Sequence, residues 1–180
     1  MNKIIKYSLF LMALCAISGL LLSFINSITA PIIEENEQEK LRAELEAQFP
    51  YAYYRQAGDD ANDMASNAIQ AYFYAFNEDK ELEAVIYRTS YQGYKSQIVS
   101  LISIKVDGTI EDAKMISGKD TYDDIIMEHD FGVSGAPVDD YDYVIKAGIT
   151  ITSGAIAQGI DAAVSHFMSI EDELGGISYE

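Results

Sequence analysis

The chain has 180 residues, enough for one domain and an appendage, with 29 acidic residues against 12 basic ones. The net charge of −17 argues against nucleic-acid binding and against adhesion to anionic lipid through a basic patch. The single cysteine, Cys15, excludes an internal disulfide. The two histidines, His129 and His166, lie too far apart to form a metal-ligand motif, so we predict no metal site and expect surface or partly packed side chains.

The first element is an uncharged, mostly apolar run of 22 residues, 7–28, which is long enough to cross a bilayer as a helix. Lys3 and Lys6 precede it and glutamates follow, so the positive-inside rule places the N-terminus in the cytoplasm and the rest outside. A cleaved signal peptide would have a shorter apolar core and a small-residue cleavage site, which the residues before Pro31 provide poorly. We predict an uncleaved, single-pass anchor in the cytoplasmic membrane over residues 1–31.

Residues 32–66 are predicted to form a helix and a connector. Pro31 marks the membrane exit, and Leu41, Leu45 and Phe49 then recur every four residues, which indicates a helix over 34–49. The polar connector over 50–66 contains Gly58-Asp59-Asp60 and opens with three tyrosines. An aromatic cluster of this kind between a helix and a sheet is typical of packing.

Four strand-like stretches follow: 68–76, 82–91, 98–106 and 109–116. The first two are rich in aromatic and β-branched residues, and the third shows alternating side chains. Asn77-Glu78-Asp79-Lys80 separates the first two, and Asp107-Gly108 is a hairpin signal between the last two. We therefore predict an antiparallel meander in which 109–116 pairs with 98–106.

The last predicted element is an amphipathic helix. From Ile156, the apolar side chains of Ile160, Val164 and Phe167 fall on one helical face, which we expect to pack on the sheet. The fold class is thus α+β: an N-terminal transmembrane helix, an antiparallel-sheet domain over 67–170 with a C-terminal packing helix, and an acidic tail over 171–180 that we expect to be frayed.

A hydroxyl-rich turn leads into this helix. Thr150, Thr152 and Ser153 lie where an N-cap belongs, and any of them could accept the cap bond. Unpaired backbone N–H groups and the positive end of the helix dipole point at this turn, so it could hold a phosphate. A capped helix that binds nothing has the same local pattern.

The turn resembles the covalent FMN-binding domain family, whose Ser-Gly-Ala-Thr signature carries FMN through a phosphoester on the threonine. The frame Ala147-Gly148-Ile149-Thr150 keeps the acceptor and continues as the family does with Ile151-Thr152-Ser153. The other frame, Ser153-Gly154-Ala155-Ile156, matches three letters but has no hydroxyl at the acceptor. The first frame departs from the signature at Ala147 and Ile149.

A second motif of that family, Glu-Thr-Pro-Gly-Leu-Gly, helps to enclose the flavin. Its equivalent here is Lys119-Asp120-Thr121-Tyr122-Asp123-Asp124-Ile125, in which only Thr121 matches and Asp120 stands for the acid. The proline and both glycines are absent. The acidic residues of this region and of 139–142 favour a solvated surface over a cation site, since no glycine-punctuated calcium loop accompanies them.

The N-terminus extends the resemblance to one subgroup. The apolar run followed by Asn26-Ser27-Ile28-Thr29-Ala30-Pro31-Ile32-Ile33-Glu34-Glu35-Asn36 resembles the G subunit of the Rnf ion-translocating electron-transport complex. The C subunit of the sodium-pumping NADH:quinone reductase is a more distant relative.

The resemblance implies an electron-transfer subunit rather than a stand-alone enzyme, with FMN attached at Thr150 and no catalytic residue of its own. Gly148, Thr152, Ser153 and Thr121 would contribute to the cofactor site, and the tyrosines at the start of the connector could stack on the flavin. Its partners would be other membrane subunits of an ion-translocating redox complex and a flavin transferase. The altered motifs favour an alternative, a flavin-free structural or docking subunit of such a complex.

Overall fold

The computed structural model describes residues 3–57, 68–119 and 121–179. The chain divides into two compact units, Met1–Ala43 and Glu44–Glu180. The predicted connector around Gly58-Asp59-Asp60 and the acid Asp120 lie outside the described residues.

A single helix, α1, runs from Lys3 to Gln48. Within it, Ile5–Ala30 forms a span of 26 residues with mean hydropathy 2.4 and no buried residue, which is consistent with single-pass membrane anchoring. The helix predicted separately over 34–49 is the continuation of α1, so Pro31 does not end the helix. A proline removes one amide donor and disturbs the preceding turn, but the helix continues through this position.

The second unit contains one antiparallel sheet of five strands, paired in chain order. The strands are β1 (Tyr53–Gln56), β2 (Ile69–Phe76), β3 (Leu82–Gln92), β4 (Gln97–Lys105) and β5 (Ile110–Ser117). The predicted meander is confirmed, and β1 is an addition that sequence analysis assigned to the connector. Its four residues are too few to show a period of two, although two of them are tyrosines, which favour strands.

The β4–β5 hairpin forms at the predicted position. Ile102 pairs with Ala113 and Ser103 with Asp112. In the turn Gly108 has φ of +79°, a left-handed conformation that favours glycine. Hydrogen bonds from the Thr109 side chain and from the Thr109 N–H, the latter at 2.9 Å, lower the pKa of Asp107.

Helix α3 (Thr150–Ile170) packs on one face of the sheet. Its predicted apolar face is confirmed, because Ile160, Val164 and Phe167 are at most 4% exposed. The helix approaches β3 and β4 closely at Gly159, where an added Cβ would lie 2.5 Å from Thr89 Oγ1. Thr89 is itself hydrogen bonded to Ser100 across the strands at 2.9 Å.

The opposite face of the sheet is also covered. Because side chains alternate along a strand, Ile86 and Arg88 point away from α3. Ile86 is fully buried, and the Arg88 guanidinium lies 3.8 Å from the carboxylate of Glu44 in the last turn of α1. Leu45 and Phe49 are both 2% exposed, which confirms the predicted spacing of apolar residues at the end of α1.

The acidic tail is packed, contrary to expectation. Residues Glu171–Gly176 form a 3₁₀ helix that buries Leu174. The ring of Tyr179 then lies 4.9 Å from that of Tyr53 and 5.3 Å from that of Phe76. The expectation of fraying followed from the acidic composition of the segment, but its apolar side chains hold it in place.

The loop before α3 covers the outer edge of β5. Ile110 N–H donates to the Ala136 carbonyl and Gly135 N–H donates to the Ile110 carbonyl, both at 2.8 Å. The Ser134 hydroxyl donates to the Glu111 carbonyl, also at 2.8 Å. The short helix α2 (Asp123–Met127) precedes this loop and buries Ile126.

His166 is fully buried, so the expectation of a surface or partly packed side chain is wrong for it. Its Nδ1 lies 3.2 Å from the Tyr87 hydroxyl, and its ring lies 4.7 Å from that of Tyr72. His129 is partly packed as expected, with Nε2 2.8 Å from the Val144 carbonyl.

Within the described ranges, no cluster of three or more His, Cys, Asp or Glu side chains could hold a metal ion.

Candidate functional site

A cavity of about 540 Å³ opens at the start of α3. Its walls come from three segments: the β3–β4 turn, the residues that follow β5, and the first turn of α3. Its lining residues are Tyr94, Lys95, Thr121, Tyr122, Gly148, Ile149, Thr150, Ile151 and Thr152. This volume lies within the range of roughly 300–1,000 Å³ that is usual for small-molecule and cofactor sites.

The first turn of α3 begins without a hydroxyl cap. The N-cap residue is Ile149, and no side chain caps the described helix start. Sequence analysis expected Thr150, Thr152 or Ser153 in that role, but all three lie inside the helix. Ser153 instead donates its hydroxyl to the Ile149 carbonyl at 2.9 Å and accepts the Lys146 N–H at 3.2 Å.

The start of the helix lies at the cavity and carries backbone N–H groups that form no intrahelical bond. The Ser153 N–H makes an intrahelical bond to the Ile149 carbonyl at 3.1 Å. The N–H groups of Thr150 and Ile151 precede that bond and point outward along the helix axis. An anion in the cavity would meet these donors and the positive end of the helix dipole.

Gly148 makes the turn into α3 possible. Its φ of +84° is a conformation that side chains other than glycine rarely adopt, and an added Cβ would meet no atom within 4 Å. The backbone requirement, rather than crowding, therefore explains glycine here. The space beside it is open to a ligand.

The fold brings together four of the five predicted cofactor-binding residues. Gly148, Thr150, Thr152 and Thr121 all line the cavity, although Thr121 is distant from the others in sequence. Thr150 is exposed, whereas Thr152 is 2% exposed. Ser153 is fully buried and does not line the cavity, and its hydrogen bonds hold the residues before the helix.

Sequence analysis missed Tyr94, Lys95 and Tyr122. Lys95 donates to the Thr121 hydroxyl at 2.7 Å, which joins the β3–β4 turn to the segment after β5. Nearby, the Lys119 N–H donates to the Ser96 hydroxyl at 2.7 Å. No local pattern marks Tyr94 or Lys95, because the strand pairings alone place the two segments side by side. Tyr122 lies within the second motif, beside Thr121, but matches none of its residues.

The tyrosines at the start of the connector do not line this cavity. Tyr51 donates its hydroxyl to Glu111 at 2.7 Å, and burial raises the pKa of Tyr51 well above its usual value. Tyr54 donates to the Phe49 carbonyl, and Tyr53 contacts the C-terminal Tyr179. These contacts support the interpretation of the cluster as packing.

Comparison with known families gives one match. Residues 1–47 match the family model described as the RnfG N-terminal region. This stretch of the chain is therefore similar to the N-terminus of the RnfG subunit, which supports the assignment to a subunit of an Rnf-type complex. The chain matches no curated protein. The matched region ends before the sheet, so the cavity at α3 lies outside it.

Proposed function

We propose that the chain is a membrane-anchored subunit that carries electrons through FMN attached at Thr150 in an ion-translocating redox complex. The observation that carries this proposal is the convergence of Thr121, Gly148 and Thr150 on one cavity. The similarity of residues 1–47 to RnfG adds independent support, because it comes from a different part of the chain.

Two features of the cavity support FMN as its ligand. The phosphate would lie at the start of α3, where Thr150 presents its hydroxyl and the helix presents backbone donors. The exposed aromatic rings of Tyr94 and Tyr122, which are 66% and 52% exposed, provide surfaces on which a planar ring system could stack. Bound FMN would supply reversible redox chemistry, and the protein would bind, orient and electrostatically tune it.

Each side chain of the site would have a different role in binding FMN. The Thr150 hydroxyl would be the point of attachment, and the open space beside Gly148 would admit the phosphate. Thr152 would line the base of the site, and Thr121 would face it from the opposite wall with Lys95 as its hydrogen-bond partner. Ser153 would act indirectly, because its two hydrogen bonds fix the turn that carries Gly148.

Covalent attachment can be tested with the full chain co-expressed with a flavin transferase. The protein should remain fluorescent on a denaturing gel, and Thr150→Val should abolish the fluorescence because valine has a similar shape without the oxygen. Thr152→Val is the matched control and should at most weaken the signal. A wild-type chain from its native host that carries no flavin under denaturing conditions would rule out covalent attachment.

One observation supports the flavin-free alternative: of the second family motif, only Thr121 is present. The visible spectrum of gently purified protein separates the two functions. A yellow sample whose flavin is lost on denaturation would indicate noncovalent FMN. A colourless sample would support a structural or docking subunit.

The proposal also includes orientation, with the N-terminus inside and residues 44–180 outside the cytoplasmic membrane. Lys3 and Lys6 before the span and the glutamates after it motivate this topology. Protease added to intact spheroplasts should digest the outer domain. Complete protection until lysis would contradict the orientation.

A further inference from the structure

The exposed apolar side chains of the second unit are concentrated in one area. Outside α1, the described part of the chain exposes seven large apolar side chains, and six of them lie at the cavity or around helix α2. The seventh is Met168, near the other end of α3. Single exposed apolar residues are common on proteins, whereas a group of them marks a surface that contacts another molecule.

Helix α2 joins this group to the cavity. The helix buries Ile126 and leaves its neighbours Ile125 and Met127 exposed, at positions where a short surface helix usually carries polar side chains. The Ile125 N–H donates to the Tyr122 carbonyl at 3.2 Å. Tyr122 in turn lines the cavity together with Ile151 of α3.

The loop before α3 adds Val144 to the same area. The His129 N–H donates to the Ile126 carbonyl at 3.0 Å, and His129 Nε2 lies 2.8 Å from the Val144 carbonyl. Val144 is therefore held beside the end of α2. The group is named the α2 surface, and its members are between 41% and 57% exposed: Tyr122, Ile125, Met127, Val144 and Ile151.

Acidic side chains are interspersed with the α2 surface. Residues 121–145 include seven aspartates and glutamates and neither a lysine nor an arginine. Two of these acids, Asp124 and Glu128, are exposed directly beside Ile125 and Met127. An apolar centre with a charged rim is the usual composition of a protein docking surface.

The charge indicates which kind of molecule fits this surface. Residues 1–43 hold four acidic and four basic side chains, so the entire net charge of −17 belongs to residues 44–180. A second copy of the chain would place acidic side chains against acidic ones, and anionic lipid would be repelled in the same way. A protein with a basic contact face would instead be attracted before contact and held by apolar burial afterwards.

We propose that the α2 surface docks a partner protein whose contact face has an apolar centre and a rim of lysine and arginine. The similarity of residues 1–47 to RnfG supports the presence of other subunits of an Rnf-type complex, and one of these is the occupant. Because Tyr122 and Ile151 also line the cavity, the partner lies beside the candidate cofactor site. The inference goes beyond the proposed function, since docking does not require bound flavin.

Site-specific crosslinking in native membranes tests this proposal. Cys15→Ser removes the single cysteine, and Ile125→Cys then places one thiol on the α2 surface. The affinity-tagged full chain is produced in its native host, labelled with a maleimide-benzophenone reagent and irradiated. We expect a tagged product enlarged by one other subunit, identified by mass spectrometry. Its yield should fall with added salt, because salt screens the attraction between the two faces.

Met168→Cys in the same Cys15→Ser background is the matched control for position. Met168 is also about half exposed but lies outside the α2 surface. It should give no such product, because the proposed partner does not cover that part of α3.

Two pairs of charge variants test the acidic rim. Asp124→Lys combined with Glu128→Lys should lower the crosslinking yield of Ile125→Cys about tenfold, because it turns attraction to a basic face into repulsion. Glu171→Lys combined with Asp172→Lys changes the net charge by the same amount at exposed positions outside the α2 surface. This second pair should leave the yield unchanged. Equal melting temperatures of the variants and the wild type exclude unfolding as the cause of a lower yield.

Several results would overturn the docking surface. These are the absence of a protein product from Ile125→Cys, a product that joins two copies of this chain, and an equal yield from Met168→Cys. A crosslinked partner segment without an excess of lysine and arginine, or equal effects of the two charge pairs, would also contradict it. Flavin fluorescence of the same gels reports on the proposed function separately. A chain that crosslinks as expected but carries no flavin would overturn covalent attachment and retain the docking surface.

Discussion

The two ends of α3 differ in what they contribute. At its start, Thr150 and Ile151 are exposed, the cap is an isoleucine, and the cavity is open. Toward its end, His166 and Phe167 are fully buried, and the His166 ring contacts the ring of Tyr72 on the sheet. One helix thus has an open end at the candidate site and a packed end against the sheet. Substitutions at the packed end should change stability, whereas substitutions at the open end should change binding.

The largest effect should come from Val164→Asp, which places a charge without a partner in the packed interface with the sheet. Val164 is 4% exposed, and the expected destabilisation is on the order of 3 kcal/mol or more. Thermal unfolding of the full chain in detergent, followed by circular dichroism, measures it. Ser165→Asp adds the same charge at the neighbouring exposed position and should have little effect. Equal melting temperatures for the two variants would show that this face is assigned wrongly.

A pair of glycine variants tests the same helix with a smaller change. Gly159→Ala should destabilise the domain by about 1–3 kcal/mol, because the new methyl group would collide with Thr89 Oγ1 at 2.5 Å. Gly154→Ala meets no atom within 4 Å and should stabilise the helix by about 0.5–1 kcal/mol. Denaturant unfolding gives both values. The same sign for both variants would contradict the close approach at Gly159.

The packed end should also respond to alkaline pH. Burial raises the pKa of Tyr74 to about 12 and raises the pKa of Tyr87 as well. A raised pKa means that the fold favours the neutral phenol. This stabilisation is complete below the unfolded value of about 10 and is lost as the pH rises toward 12. Denaturation midpoints measured from pH 8 upward should therefore fall above pH 10. Tyr87→Phe should reduce the fall, and an identical alkaline loss in that variant would exclude Tyr87 as a contributor.

The smallest effect on stability is expected at the open end. Thr150→Val changes an exposed side chain that forms no cap bond, so the free energy of unfolding should change by less than about 0.5 kcal/mol. The same variant should eliminate covalent flavin attachment. It therefore separates an effect on binding from an effect on stability most clearly. A large drop in melting temperature would show that Thr150 supports the fold as well as the site.

The features of the fold that the sequence predicted correctly were those that depend on a periodic pattern or on residues close in sequence. The residue types of β2 and β3, the alternation along β4, the hairpin at Asp107-Gly108 and the helical face at Ile160 and Val164 each follow from residues close in sequence. The short strand β1 did not, because it depends on its pairing with the distant strand β2. The continuity of α1 through Pro31 did not either, because a proline is a local signal against helix continuation.

The candidate site divides in the same way. Gly148 and Thr150 lie in one contiguous turn and Thr121 lies in a motif, so the sequence alone could mark them as candidate site residues. Lys95 could not be found, since its contact with Thr121 spans 26 residues and exists only because the β3–β4 turn lies beside the segment after β5. The sequence also did not predict the isoleucine N-cap at the described start of α3, because the identity of the cap depends on the residue at which the helix begins.

The loop over β5 has a consequence for assembly. Its backbone occupies hydrogen-bonding groups at Ile110, and its serine occupies the carbonyl of Glu111, so the first part of this strand cannot recruit a strand from another molecule. Domains crowded together in the plane of a membrane are therefore protected at this edge from joining into a shared sheet. A protein that docks here must recognise side chains and loop shape rather than extend the backbone ladder.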